Sequence, residues 1–201
     1  MHISCLGPFF QYRAEALSRH KRSSPTRRHV VFALAGAAFA WPLRAAPADL
    51  PGWDETRWGM SREDLARVLG PRRRALAAPL RYGEYIVRDT VPGLRLAGRP
   101  FVALLQLDRG SERLAQVLLR YRGDFPMLSD FAAVRDVLAA QFGAPHERRA
   151  ETDDRGSFPS FWIEARWTFP STAVVLALVD PNADPYSSQR KTLIVRYTRR
   201  A

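Results

Sequence analysis

The chain has 201 residues, 31 Lys and Arg against 20 Asp and Glu, and is 46% hydrophobic. That apolar share, with 25% charged residues and no apolar run of 18 or more, excludes a disordered tail and a polytopic membrane protein. Residues 1–48 carry seven basic side chains and one acid (Glu15), so the net charge of +11 divides into +6 there and +5 over 49–201. The latter is too dilute for a dedicated nucleic-acid binder, and no nucleic-acid partner is expected.

The first segment reads as an export signal. Basic residues through Arg27 and Arg28 precede the apolar stretch Val30 to Pro42, and a small-residue site follows, ending at Ala48. A helix of about 13 apolar residues rises only about 20 Å against a hydrocarbon core of about 30 Å, so no stable membrane anchor is expected after cleavage. Arg27 and Arg28 before His29, Val30 and Val31 resemble the twin-arginine signal, with the general secretory route as the alternative. Both routes lead to the periplasm or the exterior of a bacterium. Cys5 lies upstream of the apolar stretch, so a processed chain would hold no cysteine, hence no disulfide, thiolate metal site or cysteine nucleophile.

Residues 49–201 read as one domain made of two echoing halves, about 49–125 and 126–201. Ser61 and the acids Glu63 and Asp64 open a helix with the stripe Leu65, Val68 and Leu69, which stops at Gly70 and Pro71. Strands are expected at Tyr85 to Arg88, Phe101 to Leu107 and Leu114 to Arg122, with a turn at Asp108 to Ser111. The second helix is expected over Asp130 to Phe142, capped by Ser129, with Phe131, Val134, Leu138 and Phe142 as its stripe and Gly143 and Pro145 as its stop. Strands at Phe161 to Phe169, Thr172 to Val179 and Thr192 to Arg199 follow, with a long loop from Asp180 to Gln189. Three pairs of landmarks, Gly70 with Gly143, Asp108 with Asp180 and Tyr121 with Tyr197, recur at nearly the same separation, which argues for duplication of one helix and three strands. One unit is too small to cover its own apolar faces. The expected fold is therefore α+β, with joined antiparallel sheets, helices on one face and the other face partly open.

Trp58, Gly59, Met60 and Ser61 opening a helix that ends at Leu69 and Gly70, then Pro92, Gly93 and the strand from Pro100 to Ala103, resemble a large group of uncharacterised exported bacterial proteins. The tandem helix-plus-sheet layout is also similar to the β-lactamase-inhibitor-protein fold and to the small lipoproteins of the outer-membrane barrel-assembly machinery. The resemblance spans residues 53–201 and implies a binding module that uses a sheet surface. The chain departs from it in carrying neither their disulfides nor a lipid-bearing cysteine.

No catalytic motif is present. His146 is the only histidine beyond the leader and cannot build a multi-histidine metal site. Glu151, Asp153 and Asp154 lack the spacing of a calcium loop. No catalytic residue, metal or cofactor is therefore expected. Arg72, Arg73 and Arg74 after the first helix, and Arg148 and Arg149 after the second, are candidate anion binders, although cations there also oppose the helix dipole. Alternation over Phe161 to Phe169 puts Phe161, Ile163, Ala165, Trp167 and Phe169 on a core face, and Trp162, Glu164 and Arg166 on the opposite one. An aromatic beside an arginine on an open face is interface chemistry, so an envelope protein is the expected partner. The oligomeric state is open. A small periplasmic hydrolase with acidic catalytic residues and an anion-binding protein are the alternatives. Trp53 and Trp58 are expected to anchor the domain entrance.

Overall fold

The structure, a computed structural model, describes residues 47–153, 160–180 and 191–200. Arg27 and Arg28, the apolar stretch, most of the long loop after Asp180, and Asp154 lie outside the described residues. Helix α1 (Arg62–Leu69) leads through a short 3₁₀ turn (Gly70–Arg72) to β1 (Arg74–Tyr82), β2 (Tyr85–Leu96), β3 (Arg99–Asp108) and β4 (Leu114–Tyr121). Helix α2 (Leu128–Phe142) then leads to β5 (Glu147–Asp153), β6 (Ser160–Thr168), β7 (Thr172–Asp180) and β8 (Thr192–Arg199). The fold is α+β, as expected, with two similar halves, each a helix followed by an antiparallel meander.

The eight strands form a single sheet in the order β1-β2-β3-β4-β8-β7-β6-β5. The meanders meet where β4 pairs antiparallel with β8, matching Val117 to Tyr197, Leu119 to Val195 and Arg120 to Ile194. Leu119 and Val195 occupy the same place in the repeated L-L-R-Y and I-V-R-Y ends, so these paired residues are each other's repeat equivalents. The local twofold axis relating the halves therefore passes between them. Both are buried in the core, at 2% and 0% exposure.

Each half contains one strand more than its sequence announces. The added strands, β1 and β5, are the two sheet edges. Strand β1 is exposed along almost its whole length, and its register against β2 shifts between Ala75 and Leu80, where Pro79 lies. A proline is tolerated at an edge bulge because no ladder hydrogen bond is lost there. Strand β5 (ERRAETD) is nearly all charged or polar, and it includes Arg148 and Arg149, the arginines expected after α2. The proline of β1 and the charges of β5 discourage pairing of either edge with another chain.

Helix α1 is capped as expected. The Ser61 hydroxyl accepts from the Asp64 N–H at 3.2 Å, and the Asp64 carboxylate accepts from the Ser61 N–H at 3.2 Å. Helix α2 starts earlier than expected, at Leu128, and Ser129 does not cap it. Instead the Asp130 carboxylate reaches back to accept from the Met127 N–H at 2.8 Å, and Arg99 pairs with that carboxylate. The expected stripes are the buried ones: Leu65 and Leu69 on α1, and Phe131, Val134, Leu138 and Phe142 on α2. They pack on Phe101, Ala103 and Leu105 of β3, Val117 and Leu119 of β4, Ala165 and Trp167 of β6, and Val174 and Leu176 of β7. Trp167 is fully buried, donates its indole N–H to the Gly143 carbonyl at 2.8 Å, and meets Phe142 edge-on at 6.3 Å.

The segment before α1 straps the halves together. Asp49 accepts from the Ser171 N–H at 2.8 Å and from its hydroxyl at 2.6 Å, the Thr172 hydroxyl donates to the Leu50 carbonyl, and the Trp58 indole donates to Thr172 at 2.7 Å. Trp53 is buried, and the adjacent turn is so tight that a Cβ at Gly52 would lie 1.9 Å from the Thr56 carbonyl oxygen. Asp89, buried in β2, takes Arg62 from α1 at 2.8 Å and Arg73 at 2.5 Å, which pins the first helix to the sheet.

The axial position should be sensitive and the edge tolerant. Leu119→Ala is expected to cost about 2–5 kcal/mol in denaturant unfolding, whereas Leu80→Ser on β1 should stay within about 0.5 kcal/mol. Hydrogen bonds to Ser171, Ser61 and Ser111 hold the Asp49, Asp64 and Asp108 carboxyls below their ordinary value of 3.8. A depressed carboxyl stabilises the fold above its unfolded-state value, and that contribution is lost as pH falls through the lower folded-state value. Stability measured against pH should therefore be level above about 5 and fall below about 4. A rise in that acid range would contradict these assignments.

Candidate functional site

The sheet face opposite the helices carries a depression over β5, β6 and β8, with a volume of about 130 Å³. It is lined by Arg149, Glu151, Trp162, Glu164, Arg166 and Arg196. The residues expected on the open face of β6 are thus brought together, as side-chain alternation requires. The register explains the hollow. Glu164 lies between Arg149 on β5 and Ala177 on β7, Trp162 lies opposite Glu151, and Arg166 and Arg196 face each other across Val175. The side chains of Ala177 and Val175 are short, so β7 leaves space between the longer ones of β6 and β8.

Burial and charge are arranged unevenly. Trp162 is 43% exposed, whereas Glu164 is only 3% exposed and is held by Arg166 at 2.9 Å. Arg149 pairs with Glu147 at 3.1 Å, and Glu147 also approaches Arg166 at 3.7 Å. Among the described residues Arg196 meets no carboxylate, and the Arg166 Nε is buried without a hydrogen bond. The site combines an exposed aromatic ring, a buried ion pair and a guanidinium with spare hydrogen-bonding capacity.

The other arginines expected to bind anions do not assemble with these. Arg72 is engaged by Asp54 at 2.7 Å and Glu55 at 2.9 Å, and Arg73 by Asp89. Arg74 opens β1, while Arg148 and Arg149 lie on β5, so the two clusters occupy opposite edges of the sheet. Only Arg149 of the five lines the depression. Ala48 is exposed. His146 accepts the Thr168 N–H at its Nδ1 at 2.8 Å and donates its backbone N–H to the Arg166 carbonyl at 2.8 Å, extending the β5–β6 pairing. Among the described residues no group of three or more His, Cys, Asp or Glu could hold a metal ion.

Two lining residues, Glu151 and Arg196, are not among the residues expected at this site. Glu151 is hidden because β5 has no apolar alternation. Arg196 carries a usable signal: it is the repeat equivalent of Arg120 in the matched R-Y ends. Each arginine stands beside a depression on the open face. The one near Arg120 is apolar, with Leu76, Leu80 and Val102 in its lining, and the one near Arg196 is charged. The duplicated frame thus presents two different surfaces.

Removing either Arg166 or Arg196 should separate structural from ligand-directed charge. Arg166→Met strands a buried carboxylate and should cost about 3–5 kcal/mol of stability, whereas Arg196→Met should change it by less than about 1 kcal/mol. Equal losses in thermal or denaturant unfolding would show that Arg196 is a structural partner after all. Comparison with protein-family models, with curated proteins and with solved structures returns no match.

Proposed function

We propose that the protein is an exported, non-catalytic binding module of the bacterial envelope that meets a protein partner with its open sheet face around Trp162, Glu164 and Arg166. The observation that carries this reading is the 130 Å³ depression, with an exposed tryptophan on its rim and, among the described residues, an arginine free of carboxylates within it. That volume suits one inserted side chain and falls below the roughly 300–1,000 Å³ typical of small-molecule sites. A solvent-exposed tryptophan next to arginines has the composition of an interaction hot spot. Export rests on the basic and apolar pattern of residues 1–48.

A second reading, a small periplasmic hydrolase, draws on the two carboxylates, Glu151 and Glu164, that line the same depression. Against it, Glu164 is already committed to Arg166, and the space is small for a substrate. The two readings diverge on the bench. Replacing Trp162 by a photocrosslinking amino acid in exporting cells should yield one discrete protein adduct, and Trp162→Ala should weaken the purified pair by about 30-fold or more. If no adduct forms and Trp162→Ala leaves the cellular phenotype intact while Glu164→Gln abolishes it, the binding-module reading fails and the hydrolase reading takes its place.

A further inference from the structure

A second surface, lined by residues other than those of the Trp162 depression, has the composition of an amphiphile site. The link from β4 to α2 presents Phe125, Met127 and Leu128 at 76%, 57% and 55% exposure, a run of large apolar side chains broken only by Pro126. Contiguous exposure of this kind is unusual on a soluble surface and marks an interaction site. The link is held at both ends. Pro126 is buried, the Tyr121 ring folds over Gly123 so closely that a Cβ there would lie 2.3 Å from its hydroxyl, and Tyr121 in turn packs edge-on against Phe101 at 5.7 Å. Asp130 fixes the far end by accepting the Met127 N–H.

Directly beside this tip lies a cleft of about 430 Å³ whose lining includes Arg120, Arg122, Asp124 and Lys191. Lys191 pairs with Asp180 at 3.4 Å, but among the described residues neither Arg120 nor Arg122 meets a carboxylate, and the Arg120 Nε is buried with no hydrogen bond. The geometry points to peripheral binding of an anionic phospholipid bilayer: Phe125, Met127 and Leu128 enter the acyl boundary while Arg120 and Arg122 take a headgroup phosphate in the cleft. The pairing of an apolar wedge with adjacent cations is what an anionic membrane surface recognises.

The test uses the full chain carrying Phe125→Trp, with the unsubstituted chain subtracted as background, and vesicles of one part phosphatidylglycerol to two parts phosphatidylcholine. Acyl-brominated lipids should quench the new tryptophan by at least half, with little quenching in pure phosphatidylcholine. Arg120→Gln combined with Arg122→Gln should reduce binding at least fivefold. Salt at about 0.5 M should do the same to the intact pair of arginines, which keeps the test independent of how the double variant folds. Equal quenching in neutral vesicles, or none in anionic ones, overturns the proposal. So does displacement by millimolar inorganic phosphate, which would make a free anion the ligand. A blue shift that grows with protein concentration without vesicles would make the tip a contact between copies of the chain and overturn it as well. Trp162 does not line this cleft, so these outcomes are distinguishable from those of the Trp162 crosslink and Trp162→Ala.

Discussion

The pairing of β4 with β8 carries the architecture. Each meander alone has a helix on one face and an interior strand edge that would stand open, and antiparallel hydrogen bonding between the two closing strands removes both edges at once. Because Leu119 and Val195 face each other across the local twofold axis, the joint also places the α1 and α2 stripes over one shared core. Neither half could bury its helix as well without the other. The strap from Asp49 to Trp58 reinforces this joint by hydrogen-bonding to Ser171 and Thr172 in the opposite half.

Placing both helices on one face leaves the other to function, and the duplication shapes what that face offers. Arg120 and Arg196 occupy equivalent places, yet the first borders an apolar hollow and the second a charged one. The central part of the face is sealed by a polar ladder, with Gln116 donating to Gln106 and accepting from Thr198 across β3, β4 and β8. Such a ladder satisfies buried amides without a covering layer. Symmetry thus supplies two stable platforms, and side-chain divergence makes them chemically distinct.

Much of this is legible from residues alone. The stripe Phe131, Val134, Leu138 and Phe142 and the alternation from Phe161 to Trp167 place their side chains correctly, because burial imposes a period on the chain and the period survives in the sequence. The edge strands are not legible for the same reason in reverse. Residues such as Arg148, Arg149 and Glu151 bury nothing that would write a period, and Pro79 argues against a strand until the bulge beside it is known. The α2 cap is misplaced by the sequence pattern because serine and aspartate near a helix start compete, and only backbone geometry decides which of Ser129 and Asp130 closes the turn.

By itself, then, the sequence determined the elements whose faces are buried, the doubling of the unit and the exposure of Trp162 on one side of its strand. Only the tertiary structure decided that the two meanders join through their last strands, that Glu164 is buried against Arg166, and that Arg149 and Arg196 converge on Trp162 from strands far apart in the chain. Local periodicity records whether a side chain faces water, but the identity of its neighbour across a sheet depends on strand order and register, which no stretch of consecutive residues contains.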